Sequence, residues 1–201
     1  MHKRTLFIGL LLAATFLSAG DKPRFNSAGE LFFPDGYRDW VFLSSGLGMT
    51  YGPNAGRAME SPRFTNVFVD PASHRKFKQT GRWPEGATFI LEIRRSSSEG
   101  SINKGGFFQS KVAAIEVEVK DSRRYPSGWA YFDFAGGDAP LKKTVAPLGA
   151  KATCPACHST NGAVENTFVQ FYPGLVDVAR AKGTLKPGFA DAAAMTAGHQ
   201  K

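Results

Sequence analysis

Phe107-Phe108-Gln109-Ser110-Lys111-Val112-Ala113-Ala114-Ile115-Glu116-Val117-Glu118-Val119-Lys120 is the stretch that decides the fold. In its second half Ile115, Val117 and Val119 alternate with Glu116, Glu118 and Lys120, the period of two that marks a β-strand. Three more segments read the same way. Phe64 to Asp70 closes at Asp70-Pro71, and Thr88 to Arg94 sets Phe89, Leu91 and Ile93 against Ile90, Glu92 and Arg94. Gly128 to Phe134 carries Trp129, Tyr131 and Phe132. Three of these four follow one another without a long helix between them, so the expected class is α+β with a mainly antiparallel sheet. The alternation assigns Glu92, Glu116 and Glu118 to its outer face.

Short peripheral helices are expected around the sheet. One spans Gly36 to Leu43. Another spans Pro71 to Thr80, ended by Gly81 and then Pro84, and a last one Tyr172 to Lys182, with Pro173 near its start and Gly183 as its stop. A further helix near the C-terminus should open with Thr153 as N-cap and Pro155 in its first turn, where a missing N–H costs little.

That last helix carries Cys154-Pro155-Ala156-Cys157-His158. Cys-x-x-Cys-His is the attachment signature of a c-type haem: two thiols add to the vinyl groups of the porphyrin, and the adjacent imidazole is brought to the iron. The two cysteines are the only ones in the chain. A zinc site would need a fourth ligand from His74, His199 or a carboxylate, and no second paired motif is present. A redox dithiol would be expected to open a helix after an early strand of a βαβ unit, whereas here the motif is late and follows antiparallel strands. A structural disulfide would close a very short, strained loop. The expected cofactor is one covalent haem c, with Cys154 and Cys157 as anchors and His158 as the metal ligand.

Residues 1–20 have the parts of a secretory signal. His2, Lys3 and Arg4 form a positive start, Thr5 to Leu17 an apolar core too short to span a bilayer, and Ser18-Ala19-Gly20 a small-residue cleavage site. Asp21 follows instead of a cysteine, so no membrane anchor is expected, and the location is periplasmic. Export suits the cofactor, because c-type attachment in bacteria takes place outside the cytoplasm. Residues 21–185 are expected to form one haem domain and 186–201 a flexible tail. Cleavage removes Lys3 and Arg4 and no acid, so the net charge falls from +8 to +6. That excess suits an acidic electron-transfer partner protein. An exported protein with only isolated Arg doublets is not expected to bind nucleic acid.

Several short motifs then follow in a particular order: Tyr37-Arg38-Asp39-Trp40-Val41, Val67-Phe68-Val69-Asp70-Pro71, Thr80-Gly81, Val119-Lys120-Asp121, Gly128-Trp129-Ala130, Cys154 to His158, and Phe171-Tyr172-Pro173. In this order the chain resembles the cytochrome P-460 and cytochrome c'-beta family from about Tyr37 to Leu185. The resemblance implies an exported, sheet-rich, usually dimeric c-type haem protein. Its iron would carry one protein ligand, His158, and leave the distal side open to a small molecule. Cytochromes P-460 add a lysine bond to the porphyrin edge and oxidise hydroxylamine. The matching position here is Leu91, which cannot form that bond, although Lys104 and Lys111 lie near the next strand. The resemblance therefore implies the c'-beta type, which binds nitric oxide or a similar diatomic in an apolar distal pocket. A hydroxylamine oxidoreductase and a six-coordinate electron-transfer cytochrome are the alternatives.

Phe89, Leu91 and Ile93, with Phe107 or Phe108 on the neighbouring strand, are candidates for the cofactor-binding distal wall, their other reading being the sheet core. Met49, in the Gly-rich loop Gly46 to Gly52, and Met59 are candidates for a sixth ligand or for gap-filling thioethers. Arg38 and Arg63 are candidate partners for haem propionates. His74 sits among Arg75, Lys76 and Lys78 and reads as solvated.

Overall fold

The computed structural model describes residues 22–52, 55–57, 59–134, 139–149 and 152–189. The segment read as a secretory signal, and the tail from residue 190 onward, lie outside the described residues. Strands β1 (Leu31–Phe32) and β7 (Thr144–Val145) form a small antiparallel ribbon. The main sheet is a five-stranded antiparallel meander, in the order β2 (Val41–Leu47), β3 (Phe64–Val69), β4 (Thr88–Ser97), β5 (Phe108–Lys120), β6 (Trp129–Asp133). Helices α1 (Pro71–Thr80), α2 (Cys154–Asn161) and α3 (Pro173–Ala181) lie around it, so the class is the α+β arrangement expected, with the cysteine-bearing helix near the C-terminus.

The helix expected over Gly36 to Leu43 is not formed. Tyr37–Asp39 make one 3-10 turn, and Val41 onward is the edge strand, with Val41 opposite Val69. β-branched Val41 and the Ser44-Ser45-Gly46 run are poor helix formers. Val41 and Leu43, two residues apart, both pack on the core as strand side chains.

The N-terminus of α1 is fixed by Asp70. Its carboxylate accepts from the Ser73 N–H at 2.7 Å and from the Thr88 N–H at 3.0 Å, tying the helix start to the start of β4. The helix ends at Gly81, whose φ of 69° is the left-handed conformation of a C-cap.

The sheet is buried on both faces. On one, Val69, Phe89, Trp129 and Tyr131 pack under α1 and α3 against Phe77, Trp83, Leu175, Val176 and Ala179. Here Trp83 lies 4.0 Å from Phe77 and 4.6 Å from Phe89 between ring centroids. On the other face, Ile90, Ile115, Val117, Val119 and Phe132 pack against Leu31, Tyr37 and Val145. Alternation along a strand tells which residues share a face, not which face is wet.

The outer-face assignment of the three glutamates is therefore corrected: Glu92 is 2% and Glu118 9% exposed, and Glu116 is half-buried. Glu92 belongs to the second face, where it takes hydrogen bonds from Tyr37, Arg38, Arg94 (3.1 Å) and Asn66 (3.2 Å). Burial works to raise its pKa, but the hydrogen bonds of Tyr37, Arg94, Arg38 and Asn66 outweigh it and hold the carboxyl below the usual range. Arg38, a candidate propionate partner, thus pairs with Glu92 on the side of the sheet away from α2.

Candidate functional site

Positions i, i+3 and i+4 of α2 place Cys154, Cys157 and His158 on one face of the helix. Thr153 is at the N-cap position, but its side chain makes no capping bond; Pro155 occupies the first turn as expected. Both cysteines are free thiols and half-buried. Cys154 packs on the first core, and burial followed by the charge of Glu116 raises its pKa. The Asn161 amide sits 3.7 Å from the Cys157 sulfur.

The His158 ring is held between two aromatics, Tyr131 at 4.7 Å and Phe168 at 4.5 Å between centroids. Its Nδ1 lies 2.9 Å from the Asn166 carbonyl oxygen and 3.3 Å from Glu118 Oε1. A carbonyl oxygen can only accept, so the proton is on Nδ1 and the lone pair of the neutral ring is on Nε2. Nε2 makes no hydrogen bond among the described residues, which leaves it as the donor atom for a metal. Burial lowers the imidazole pKa; the hydrogen bond and charge of Glu118, the Asn166 carbonyl and Glu116 together raise it above its ordinary value. Glu118 is itself pushed up by burial, against the pull of His158.

The Asn166 carbonyl is aimed by a braced turn. Glu165 takes a left-handed backbone, φ 52°, and its carboxylate accepts from Lys120 Nζ at 2.8 Å. The same ammonium donates to the Trp83 carbonyl, and the Trp83 indole N–H donates to Thr167 Oγ1, each at 2.8 Å. Thr167 closes the turn on the Val164 carbonyl. Gly162 is required by close approach: a Cβ there would stand 2.7 Å from Asn166 C, His158 O and Thr167 N. Sequence reading missed Asn166 because a backbone carbonyl leaves no trace in residue type. Glu118 was visible in the strand but assigned to the wrong side.

Register places the other candidates. Val69, Phe89, Glu118 and Tyr131 form one cross-strand row beneath His158, and Val67, Leu91, Glu116 and Asp133 form the next row on the same face. Phe89 is 4% exposed and spent on Trp83 and Trp129, so it is core. Thr65, Val67, Leu91, Ile93, Ala114 and Glu116 remain only partly buried, although the same stretch of sheet is closed on its other face. The strip adjoins the row that borders His158, Glu116 comes within electrostatic reach of His158 and Cys154, and Val67, Leu91, Ile93 and Ala114 give it the largely apolar surface that suits a flat group anchored by two thiols. Tyr51, from the loop after β2, comes within electrostatic reach of Glu116, Cys154 and Cys157.

Phe107 and Phe108 are exposed at the far end of the β4–β5 hairpin. Gln109 reaches Asn66 on the Glu92 side, so alternation turns Phe108 to the Leu91 side. The Met49 thioether packs where a Cβ on Gly46 would stand, beside Thr65. Met59 is exposed. His74 is half-buried on α1, with its pKa lowered by burial and by Lys78 and Arg75. Arg63 and Lys104 are exposed in loops and Lys111 is exposed on β5. Among the described residues no helix is long and apolar enough to cross a membrane.

Comparison with known proteins agrees with this geometry. No curated protein matches the chain. The family profile of cytochrome P460 matches residues 34–169, which run from just before the Tyr37 turn through α2 to the start of the Val169–Phe171 turn. That match covers more than half of the chain and includes Cys154, Cys157, His158, Glu118 and Asn166, so the protein belongs to the cytochrome P460 family.

Proposed function

We propose that this chain is an exported mono-haem c-type cytochrome that binds a small neutral nitrogen-containing ligand such as nitric oxide at a five-coordinate iron. The observation that carries the reading is the His158 ring, whose Nδ1 proton is committed to Asn166 and whose Nε2 is free beside two thiols and an apolar strip. Cys154 and Cys157 would hold haem c covalently, His158 Nε2 would ligate its iron, and Val67, Leu91 and Ile93 would supply apolar contacts. The bound haem supplies a one-electron couple and an open coordination position. Around it, the residues of this chain orient the imidazole and exclude water. Val67, Leu91 and Ile93 disfavour anionic ligands, because an anion there would lose its hydration with only the carboxylates of Glu116 and Asp133 in the row. The row of Val67, Leu91, Glu116 and Asp133 itself carries no nitrogen or sulfur ligand, and the Met49 thioether is packed over Gly46 beside Thr65.

A second reading is oxidation of hydroxylamine, which needs a proton acceptor near the reacting nitrogen. Glu116 favours it: this carboxylate is paired with Leu91 on the site's own face, and burial followed by the charge of Asp133 raises its pKa. Against it stands Leu91 in place of a cross-linking lysine. Optical spectra decide between them. A high-spin ferrous spectrum that changes on adding nitric oxide, with no turnover of hydroxylamine and one haem-bearing peptide after digestion, supports the first reading. Steady hydroxylamine oxidation with a second haem-linked peptide supports the other, and a six-coordinate ferrous spectrum indifferent to nitric oxide contradicts both.

The partner in electron transfer is proposed to be an acidic protein. α1 presents exposed Arg75, Lys76 and Lys78 and contains no acid, and α3 and the turn after it present Arg180 and Lys182 with only Asp177. The two helix ends meet, since a Cβ on Gly81 would stand 2.8 Å from Lys182 Cβ. A homodimer is also proposed; exposed Phe42 and Leu47 on the edge strand β2 suit a second copy.

A further inference from the structure

Glu118 borders His158 but has been given no part in what the imidazole does. It projects from β5 toward α2, is almost wholly buried, and brings Oε1 to 3.3 Å from His158 Nδ1. Among the described residues that oxygen meets no hydrogen-bond donor in good geometry, and the Tyr131 hydroxyl beside the same carboxyl is likewise buried without a well-formed bond. A buried carboxylate oxygen left without a donor costs free energy, and the Nδ1 proton is a donor within reach, with the Tyr131 hydroxyl beside it. That proton points at the Asn166 carbonyl, 2.9 Å away, with Glu118 alongside it. Tyr131 and Phe168 fix the ring plane, so neither acceptor can be exchanged for a distant one by turning the imidazole.

We propose that Glu118 is a positioning residue for the iron ligand: with the Asn166 carbonyl it takes the Nδ1 proton of His158, strengthens Nε2 as a donor, and so lowers the reduction potential of the bound iron. The physical reason is general. A metal-bound imidazole that gives its other N–H to a carboxylate carries more electron density at the ligating nitrogen than one bonded to a neutral acceptor alone. The denser donor stabilises the more highly charged ferric state more than the ferrous. A backbone carbonyl cannot be tuned by substitution, and a carboxylate can; Glu118 is therefore the point at which this chain sets its potential. The inference rests on the haem reading under Proposed function and deepens it.

The test is Glu118→Gln in the haem-loaded full chain, a change of nearly equal volume that keeps an acceptor and removes the charge. Groups that accept a hydrogen bond from a metal ligand are typically worth about 10–100-fold in affinity. Taking the low end as preference for ferric iron, the substitution shifts the couple about tenfold toward the ferrous state, roughly 59 mV upward for one electron. The iron–histidine stretching frequency of the ferrous protein, read by resonance Raman scattering, should fall in parallel. Tyr131→Phe, which keeps Glu118 and removes only the adjacent hydroxyl, should move neither quantity beyond a small fraction of the Glu118→Gln effect. An unchanged potential and stretch in Glu118→Gln overturns the proposal, as does an equal shift in Tyr131→Phe. If Glu118→Gln fails to accumulate, the wild-type stretch decides alone, and a frequency typical of an imidazole bonded only to a neutral acceptor overturns the proposal. Wild-type protein that carries no covalent haem refutes the haem reading itself, a separate result from an unshifted potential.

Discussion

Gly162→Ala is a sharp perturbation because the added methyl meets only backbone. Its Cβ would stand 2.7 Å from Asn166 C, His158 O and Thr167 N, where ordinary contact begins at 3.4 Å, so the turn must retreat by about 0.7 Å. The Asn166 oxygen now lies 2.9 Å from His158 Nδ1. A retreat of that size along the bond takes the separation to about 3.6 Å, which is no longer a hydrogen bond. The lost bond costs roughly 0.5–1.5 kcal/mol, and forcing a methyl into packed structure costs about 1–3 kcal/mol. The sum is about 1.5–4.5 kcal/mol, which for a domain of this length lowers Tm by roughly 3–18 °C. Urea unfolding of the haem-free and haem-loaded proteins measures it, and the loaded variant should also show a weakened iron–histidine stretch. Stability within about 0.5 kcal/mol of wild type, with the stretch unmoved, would refute the account of the turn.

Other substitutions and conditions probe the remaining claims. Glu92→Gln should lose roughly 1.5–3 kcal/mol, the worth of hydrogen bonds to a charged group, at neutral pH. Because the folded carboxyl is held below the ordinary value of 4.5, this difference is full above that pH and shrinks as pH falls through the depressed folded value; urea titrations at pH 7 and pH 3 should show the gap closing. Leu91→Lys places an amine on the open strip beside Glu116, and a second haem-linked peptide after digestion is the expected product. Reduction by an acidic donor protein should slow steeply with rising ionic strength, and Lys182→Glu should flatten that dependence; indifference to salt would remove α1 and α3 as the docking face.

The sheet could be read from sequence because β4, β5 and β6 alternate cleanly or carry aromatic side chains, and the ends of α1 were marked by Asp70-Pro71 and Gly81. Cys154, Cys157 and His158 stood out for a different reason: Cys-x-x-Cys-His is a motif of fixed residue types and spacing, and one short helix carries all three. Sidedness was not legible. Ile115 and Glu116 say that they face opposite ways, but both faces of this sheet are covered, and the one carrying Glu116 and Glu118 turns toward the helix of Cys154 and Cys157. Glu118 is tolerated there because His158 offers it a proton to share. Phe89 and Leu91 share a face yet have different fates, since Trp83 and Trp129 cover the first and leave the second open, a matter of tertiary packing that no local pattern encodes. Asn166 and Gly162 act through backbone, the one as an acceptor and the other as a space, and neither role depends on a side chain that a motif would record.

The proposed function stands on Cys154 and Cys157 holding haem covalently with His158 Nε2 as the iron ligand. Intact mass spectrometry of the purified protein, from cells able to mature c-type cytochromes, tests it most directly, with digestion to locate the attachment. The expected mass is that of a chain cleaved near Asp21 plus one haem, carried on a single peptide containing Cys154 to His158. A chain of unmodified mass, with both cysteines recovered as free thiols or as a disulfide, would contradict it.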